Sequence, residues 1–271
     1  MWLRTFVVCT PTSSRSAGAH ARRFPRATLM RNRILRVLAA CSLLWSLAGC
    51  GSPPPDGAET VIVAHGLGRT SGSMAILESR LESAGFRVIS FGYPSRSETM
   101  ENLVDRLESE VSRCCAHEAT TVHFVTHSMG GVLLRSYLAQ QPEPHQGRVV
   151  MLSPPNQGSE VVDAFADSRM LRLLAGPAGS KLGTDSTGIP SQLGPVRFSL
   201  GIIAGDRSLN PLYSWLIPGP DDGKVGVDRA RVEGAADFTV VPATHTFIMN
   251  RRDVADQVVY FLENGRFWPT D

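Results

Sequence analysis

From residue 60 onward, short apolar runs alternate with stretches of helical periodicity. The runs are residues 60–64 (TVIVA), 86–91 (FRVISF), 121–126 (TVHFVT), 148–152 (RVVML), 196–204 (VRFSLGIIA) and 236–241 (ADFTVV). Most are apolar at successive rather than alternate positions, the pattern of strands covered on both faces. Between them, residues 73–84 set Ile76, Leu77, Leu81 and Ala84 on one helical face, and Gly85 suits a stop. Residues 99–112 do the same with Met100, Leu103, Val104, Leu107 and Val111. Residues 129–140 and 159–174 read as further helices. A last helix over 251–262 has Asn250 as its cap and turns Val254, Val258, Phe261 and Leu262 inward. Strands and helices in alternation predict an α/β fold, a doubly wound and mostly parallel sheet of about six strands. Residues 175–195 are rich in Gly, Pro and Ser and lack periodicity. They predict a loop or partial lid, with little or no cap beyond it. No repeat is visible, and residues 59–271 predict one domain.

The charge pattern divides the chain. Residues 1–50 hold 8 of its 27 basic residues and none of its 25 acidic ones, so the remainder is acidic by six charges. Such a domain gives no electrostatic reason to expect nucleic acid. The first 50 residues predict a targeting segment, with Met30 as an alternative start. Arg31, Arg33 and Arg36 precede an apolar stretch from Val37 to Leu47. That stretch suits a signal sequence and falls short of the roughly 20 residues that span a membrane. It ends Leu47-Ala48-Gly49-Cys50, which resembles the lipobox of bacterial lipoproteins and implies lipidation of Cys50. Residues 51–58, with Pro53-Pro54-Pro55, predict a short stiff tether. The resemblance implies an envelope protein held on a membrane by its lipid. Of the other cysteines, Cys9 and Cys41 fall in the targeting segment, and the adjacent Cys114 and Cys115 are expected to be thiols. No metal-ligand spacing is present.

Ligands of doubly wound sheets bind at the carboxyl ends of the strands. His65, Ser128, Asn156, Asp206 and His245 all follow predicted strands. Ser128 lies between an apolar run and a helix, in Thr126-His127-Ser128-Met129-Gly130-Gly131, close to the G-x-S-x-G elbow of a serine nucleophile. A serine hydroxyl needs a base for its proton, an acid to orient that base and donors for the developing oxyanion. The N–H groups of Met129 and of Leu67, in the loop His65-Gly66-Leu67-Gly68, are the candidate donors.

These pieces resemble the α/β-hydrolase superfamily, and within it the small bacterial lipases and esterases. The matching stretches are HGLG at 65–68, VHFVTHSMGG at 122–131, SPPNQGS at 153–159, DDGKV at 221–225 and THTF at 244–247, in the family's order. Thr126 departs from the elbow pattern, where glycine is usual. The resemblance implies hydrolysis of carboxylic esters, including lipids, through an acyl-enzyme and without a cofactor. It implies His245 as the base, ahead of His20, His65, His117, His123, His127 and His145. Asp222 matches the family's acid stretch, while Asp206 directly follows a strand and stays as the alternative. Asn156-Gln157-Gly158-Ser159 resembles a loop near the family's site, or Ser159 simply caps a helix. Thioester cleavage, amide cleavage and acyl transfer need the same triad, and a non-catalytic lipid- or protein-binding lipoprotein is the reading outside enzymes.

Overall fold

A computed structural model describes residues 57–115, 121–140 and 146–269. The targeting segment, Cys50, most of the tether, His117 and His145 lie outside the described residues. The six strands are β1 (Thr60–Ala64), β2 (Arg87–Phe91), β3 (Val122–His127), β4 (Gln146–Leu152), β5 (Leu200–Gly205) and β6 (Asp237–Val241). They form one sheet in the order β2-β1-β3-β4-β5-β6. Every neighbouring pair is parallel, so each connection must cross a face of the sheet.

Those crossings are the helices. The sequence predicts α1 (Ala75–Ser83), α2 (Met100–Cys115), α3 (Met129–Gln140) and the C-terminal α9 (Arg252–Asn264) within a few residues of where they stand. The central strands send alternate apolar side chains to opposite faces. Ile62, Phe124, Met151 and Ile202 join Leu103, Leu107, Leu133 and Tyr137 of α2 and α3 on one side. Val61, Val125, Val150 and Ile203 join Leu77, Leu81, Val254, Val258 and Phe261 of α1 and α9 on the other. At about 1.5–3 kcal/mol for each large apolar side chain withdrawn from water, these two layers hold the sheet in one register. Reversing a strand's faces would gain nothing, because both faces are apolar; the side-chain shapes and the helices set the register.

Four sequence expectations need correction. The helix expected over 159–174 is two, α4 (Glu160–Ala164) and α5 (Arg169–Gly179). α5 kinks at Gly176, where φ is 71° and an added Cβ would lie 2.0 Å from the Arg96 carbonyl oxygen. The stretch expected as an unpatterned loop holds the end of α5 and the turn α6 (Ile189–Gln192). Asn250 does not cap α9: Arg251 occupies that position without a side-chain cap. Cys114 and Cys115 are not thiols but are joined by a disulfide in the last turn of α2. Two short helices escaped the sequence reading, α7 (Pro211–Leu216) and α8 (Val227–Ala230). Among the described residues, no helix is long and apolar enough to cross a membrane.

Candidate active site

β3 runs into α3 through a single residue, Ser128, whose φ is 54°. A non-glycine residue in this left-handed region costs roughly 1–2 kcal/mol, and the surroundings hold it there. Its N–H donates to the Leu152 carbonyl at 2.9 Å, and its carbonyl accepts from Gly131 at 2.9 Å. The turn presents the hydroxyl at the carboxyl edge of the sheet. Crowding explains the glycines. A Cβ on Gly130 would sit 2.8 Å from the His65 carbonyl oxygen, and one on Gly66 would sit 2.9 Å from the Ser128 Cβ. Thr126 faces a lesser demand: its Oγ1 lies 3.3 Å from the Cβ position of Gly131. The close approach between loop and elbow falls on Gly66 and Gly130, so a threonine fits where the usual motif has glycine. Its hydroxyl is buried without a hydrogen-bond partner.

The structure brings Ser128, His245 and Asp222 into one hydrogen-bonded line. His245 Nε2 lies 2.9 Å from Ser128 Oγ, and His245 Nδ1 lies 2.8 Å from Asp222 Oδ2. A carboxylate only accepts, so Nδ1 carries the proton and Nε2 is free to take one from serine. The other carboxylate oxygen, Oδ1, accepts from Lys224 N at 3.0 Å and Val225 N at 2.9 Å. Gly223, at φ 96°, makes the turn that aims those amides. The main chains are tied as well, since the His245 N–H donates to the Asp222 carbonyl at 2.9 Å. Burial pushes the Asp222 carboxyl upward, but the charge and hydrogen bond of His245 and the Val225 amide outweigh it. Its pKa ends below the ordinary value. Asp222 therefore stays ionised at neutral pH.

Asp206 is not part of this line. Its carboxylate lies 3.2 Å from Arg207 Nη1, and none of its hydrogen bonds reaches His245. Asp221 is also turned away, accepting from Ser214 Oγ at 2.9 Å and Gly223 N at 2.7 Å. Gly205, at the end of β5, packs against the acid loop: a Cβ there would lie 3.0 Å from that of Asp222 and 2.4 Å from the Ala243 carbonyl oxygen.

Leu67 and Met129 stand on the two sides of the serine, in the β1 loop and at the first position of α3. Neither N–H donates to a protein acceptor among the described residues. The β1 loop is kept in shape by His65. Its Nδ1–H donates to the Gly66 carbonyl at 2.9 Å, and its ring stacks on Tyr93 with centroids 4.2 Å apart. Gly68 N donates to Ser95 Oγ at 3.0 Å. His123 is a strand residue between Glu59 and the Arg148 amide. His127 holds the His245 loop in place. Its Nε2 donates to the His245 carbonyl at 3.0 Å, which anchors the loop that carries the triad histidine. Burial, first, and the neighbouring His245 hold its pKa well below the ordinary value, so it is neutral.

Ser159 does not cap α4. Its hydroxyl donates to the Lys224 carbonyl at 2.7 Å and clips the start of α4 to the acid loop. Asn156 is a hub under the site. It donates through Nδ2 to the Ala230 carbonyl at 2.9 Å, while its own carbonyl accepts from Arg135 at 2.8 Å. Arg135 is buried and is held by carbonyls, including that of Gly194 at 2.7 Å; burial pushes its pKa down to about 10. Ser153, the first residue of the SPPNQGS stretch, stands just past β4 at φ 46°.

Above the triad lies a cavity of about 850 Å³ that reaches Ser128 and His245. Val162, Phe165, Leu174 and Leu182 give it an apolar wall, contributed by α4, α5 and the segment after them. Ser180, Lys181, Gly183, Thr187 and Gly188 line it too, so part of the Gly- and Ser-rich stretch forms a side of the cavity. Among the described residues, no three His, Cys, Asp or Glu side chains stand close enough to hold a metal ion.

Residues 60–186 match the sequence profile of the palmitoyl protein thioesterase family, a stretch that includes Leu67, Ser128 and Met129 and stops before Asp222 and His245. No curated protein sequence matches the chain. Among solved structures, the mature lipase of Bacillus licheniformis aligns with a TM-score of 0.59 at 19% identity, over 73% of this chain and 91% of that one. The phospholipase PlaB of Legionella pneumophila aligns with a TM-score of 0.59 at 15% identity, over 78% of this chain and 60% of that one. A metagenomic carboxyl esterase aligns with a TM-score of 0.58 at 20% identity, over 74% and 69%.

Proposed function

For a chain with the α/β-hydrolase fold of lipases, esterases and thioesterases, we propose serine hydrolysis of carboxylic acyl esters. The single observation that carries this reading is the unbroken line from Ser128 Oγ through His245 to Asp222. Ser128 Oγ attacks the ester carbonyl carbon while His245 Nε2 takes its proton. The carbonyl oxygen becomes an oxyanion facing the Leu67 and Met129 N–H groups, which have no competing protein acceptor. Asp222 holds the imidazole in the productive tautomer and stabilises the imidazolium. His245 returns the proton to the departing alcohol, leaving an acyl-Ser128 ester. Water then attacks that ester, His245 serves again as base, and the acid is released. The apolar cavity wall suits an acyl chain. The exposed Met170 and Leu173 of α5 and Leu212 and Trp215 of α7 suit a substrate delivered from a lipid phase. The test is labelling by a fluorophosphonate probe, with turnover of chromogenic acyl esters. Ser128→Ala should abolish labelling and lower turnover by several orders of magnitude. Unchanged labelling would show that another residue reacts.

The family match favours thioesters as a second reading. Matched oxyester and thioester substrates with the same acyl group separate the two by their ratio of kcat/KM. For location, the reading is a bacterial envelope enzyme anchored through lipidated Cys50, because small residues precede that cysteine and a proline-rich tether follows it. Cys50→Ser should move the protein from the membrane fraction to the soluble one with hydrolysis retained; a variant still bound to membranes would refute the anchor.

A further inference from the structure

We propose that the cavity selects esters whose alcohol carries a phosphate group, bound by Arg69 and Lys224 beside the triad. This deepens the acyl-ester reading and rests on it. The argument begins with a charge imbalance. From residue 51 onward the chain is acidic, with 19 basic against 25 acidic residues. The cavity reverses that sign: Arg69, Arg96, Arg172, Lys181 and Lys224 line it, against Asp163 and Asp185.

The two carboxylates are already engaged. Asp163 accepts from Thr184 N at 2.9 Å and Thr184 Oγ1 at 2.7 Å. Asp185 accepts from Thr187 N at 2.6 Å, Thr187 Oγ1 at 2.6 Å and Gly188 N at 3.1 Å. Among the described residues, none of the five cations has a carboxylate within ion-pair distance. The cavity that reaches the serine thus gathers five cations with no ion-paired carboxylate among the described residues.

Arg69 and Lys224 are the cations placed to act at the reacting bond. Arg69 follows the Leu67 oxyanion loop by two residues, and its Nη2 donates to the carbonyl of Thr246, next to His245, at 2.9 Å. Lys224 follows Asp222 by two residues. Its N–H is held by the Asp222 carboxylate and its carbonyl by Ser159 Oγ. Both loops are thus fixed before any ligand arrives, which lowers the ordering cost of binding. Both side chains line the same cavity, where burial first and then the Arg69 charge lower the Lys224 pKa, against the Asp222 charge that raises it. Lys224 is exposed and lines the cavity.

Two cations on separate loops, neither in an ion pair among the described residues, suit an anion with more than one acceptor edge. A phosphate has three oxygens and up to two charges, and a guanidinium fork matches its geometry. A carboxylate would satisfy one cation. The charge belongs to the alcohol part of the ester, because the Val162, Phe165 and Leu182 wall suits only an uncharged chain.

The experiment compares kcat/KM for octanoylglycerol and octanoylglycerol phosphate, which differ by the phosphate alone, with an octanoyl ester of glyceric acid as a carboxylate arm. The wild type should prefer the phosphate ester, and the preference should shrink with added salt. Lys224→Met and Arg69→Gln should each lower the phosphate-to-neutral ratio about tenfold, with Lys224→Arg retaining most of it. The ratio is read within each variant, so a general loss of activity does not imitate the effect. Calorimetry of octyl phosphate and octanol on Ser128→Ala protein measures the same selectivity without turnover. A wild-type ratio at or below one, ratios unmoved by the substitutions, or equal preference for the carboxylate ester would overturn the proposal. Selective binding of octyl phosphate with no ester cleaved would leave the cation site standing and sink the acyl-ester reading instead.

Discussion

Replacing Asp222 by asparagine changes one atom and should nearly abolish turnover, for a reason set by the two amides behind it. Lys224 N and Val225 N both donate to Asp222 Oδ1. An asparagine must present its carbonyl oxygen there, because its NH2 group would face two donors. The NH2 is then forced toward His245 Nδ1, in the place of Oδ2. Nδ1 must become an acceptor, so the imidazole proton moves to Nε2, 2.9 Å from Ser128 Oγ. A protonated Nε2 cannot take the serine proton. The corresponding change in a serine protease triad lowers kcat by about 10⁴, equivalent to about 5 kcal/mol of barrier. Folding should suffer less, by about 1–3 kcal/mol, from the loss of one charge-assisted hydrogen bond. The assay is kcat on a chromogenic ester, the rate of fluorophosphonate labelling, and the urea midpoint of each protein. Asp206→Asn is the control, since its carboxylate contacts Arg207 and not His245. An Asp222→Asn variant within tenfold of wild type, or an inactive but stable Asp206→Asn variant, would refute the tautomer argument.

Two further outcomes concern stability. Thr126→Val keeps the shape of a buried side chain and removes a hydroxyl without a partner. It should leave activity intact and raise stability by about 1 kcal/mol, read as a higher thermal midpoint; a clear loss of stability would show that the hydroxyl is engaged. Burial lowers the pKa of His65, His123 and His127. Their stabilising contribution is complete above the unfolded value of about 6.5 and is lost as pH falls toward the folded values, because the unfolded chain then binds protons that the folded chain refuses. The slope is up to about 1.4 kcal/mol per pH unit for each histidine. Urea midpoints should therefore fall from neutral pH to about pH 5, and His127→Gln should show a shallower decline. Identical slopes for the two proteins would contradict a neutral, buried His127.

The sheet, most helices and the serine turn were legible in the sequence because they depend on local pattern. A run such as TVIVA can only be a doubly covered strand in this setting, and a strand, Ser128 and a glycine pair in succession specify a sharp turn through nearby sterics. The corrections fall where pattern is weak or contacts are distant. One kinked glycine and a proline, Gly176 and Pro177, divide what reads as a helix followed by a loop. Ser159 has a capping residue's sequence position, yet its hydroxyl goes to Lys224, 65 residues away. The family resemblance favoured Asp222 over Asp206, while the strand pattern alone did not separate them, because both follow β5 and precede β6. The choice depends on which carboxylate the Gly223 turn and the packing of Gly205 aim at His245. Nor does an acidic composition announce a cation-lined cavity: Arg69 and Lys224 are 155 positions apart. The order β2-β1-β3-β4-β5-β6 gathers their loops at one edge of the sheet. Periodicity records which side of an element faces the core. Proximity between loops arises only when the parallel strands are ordered and their carboxyl ends are brought together.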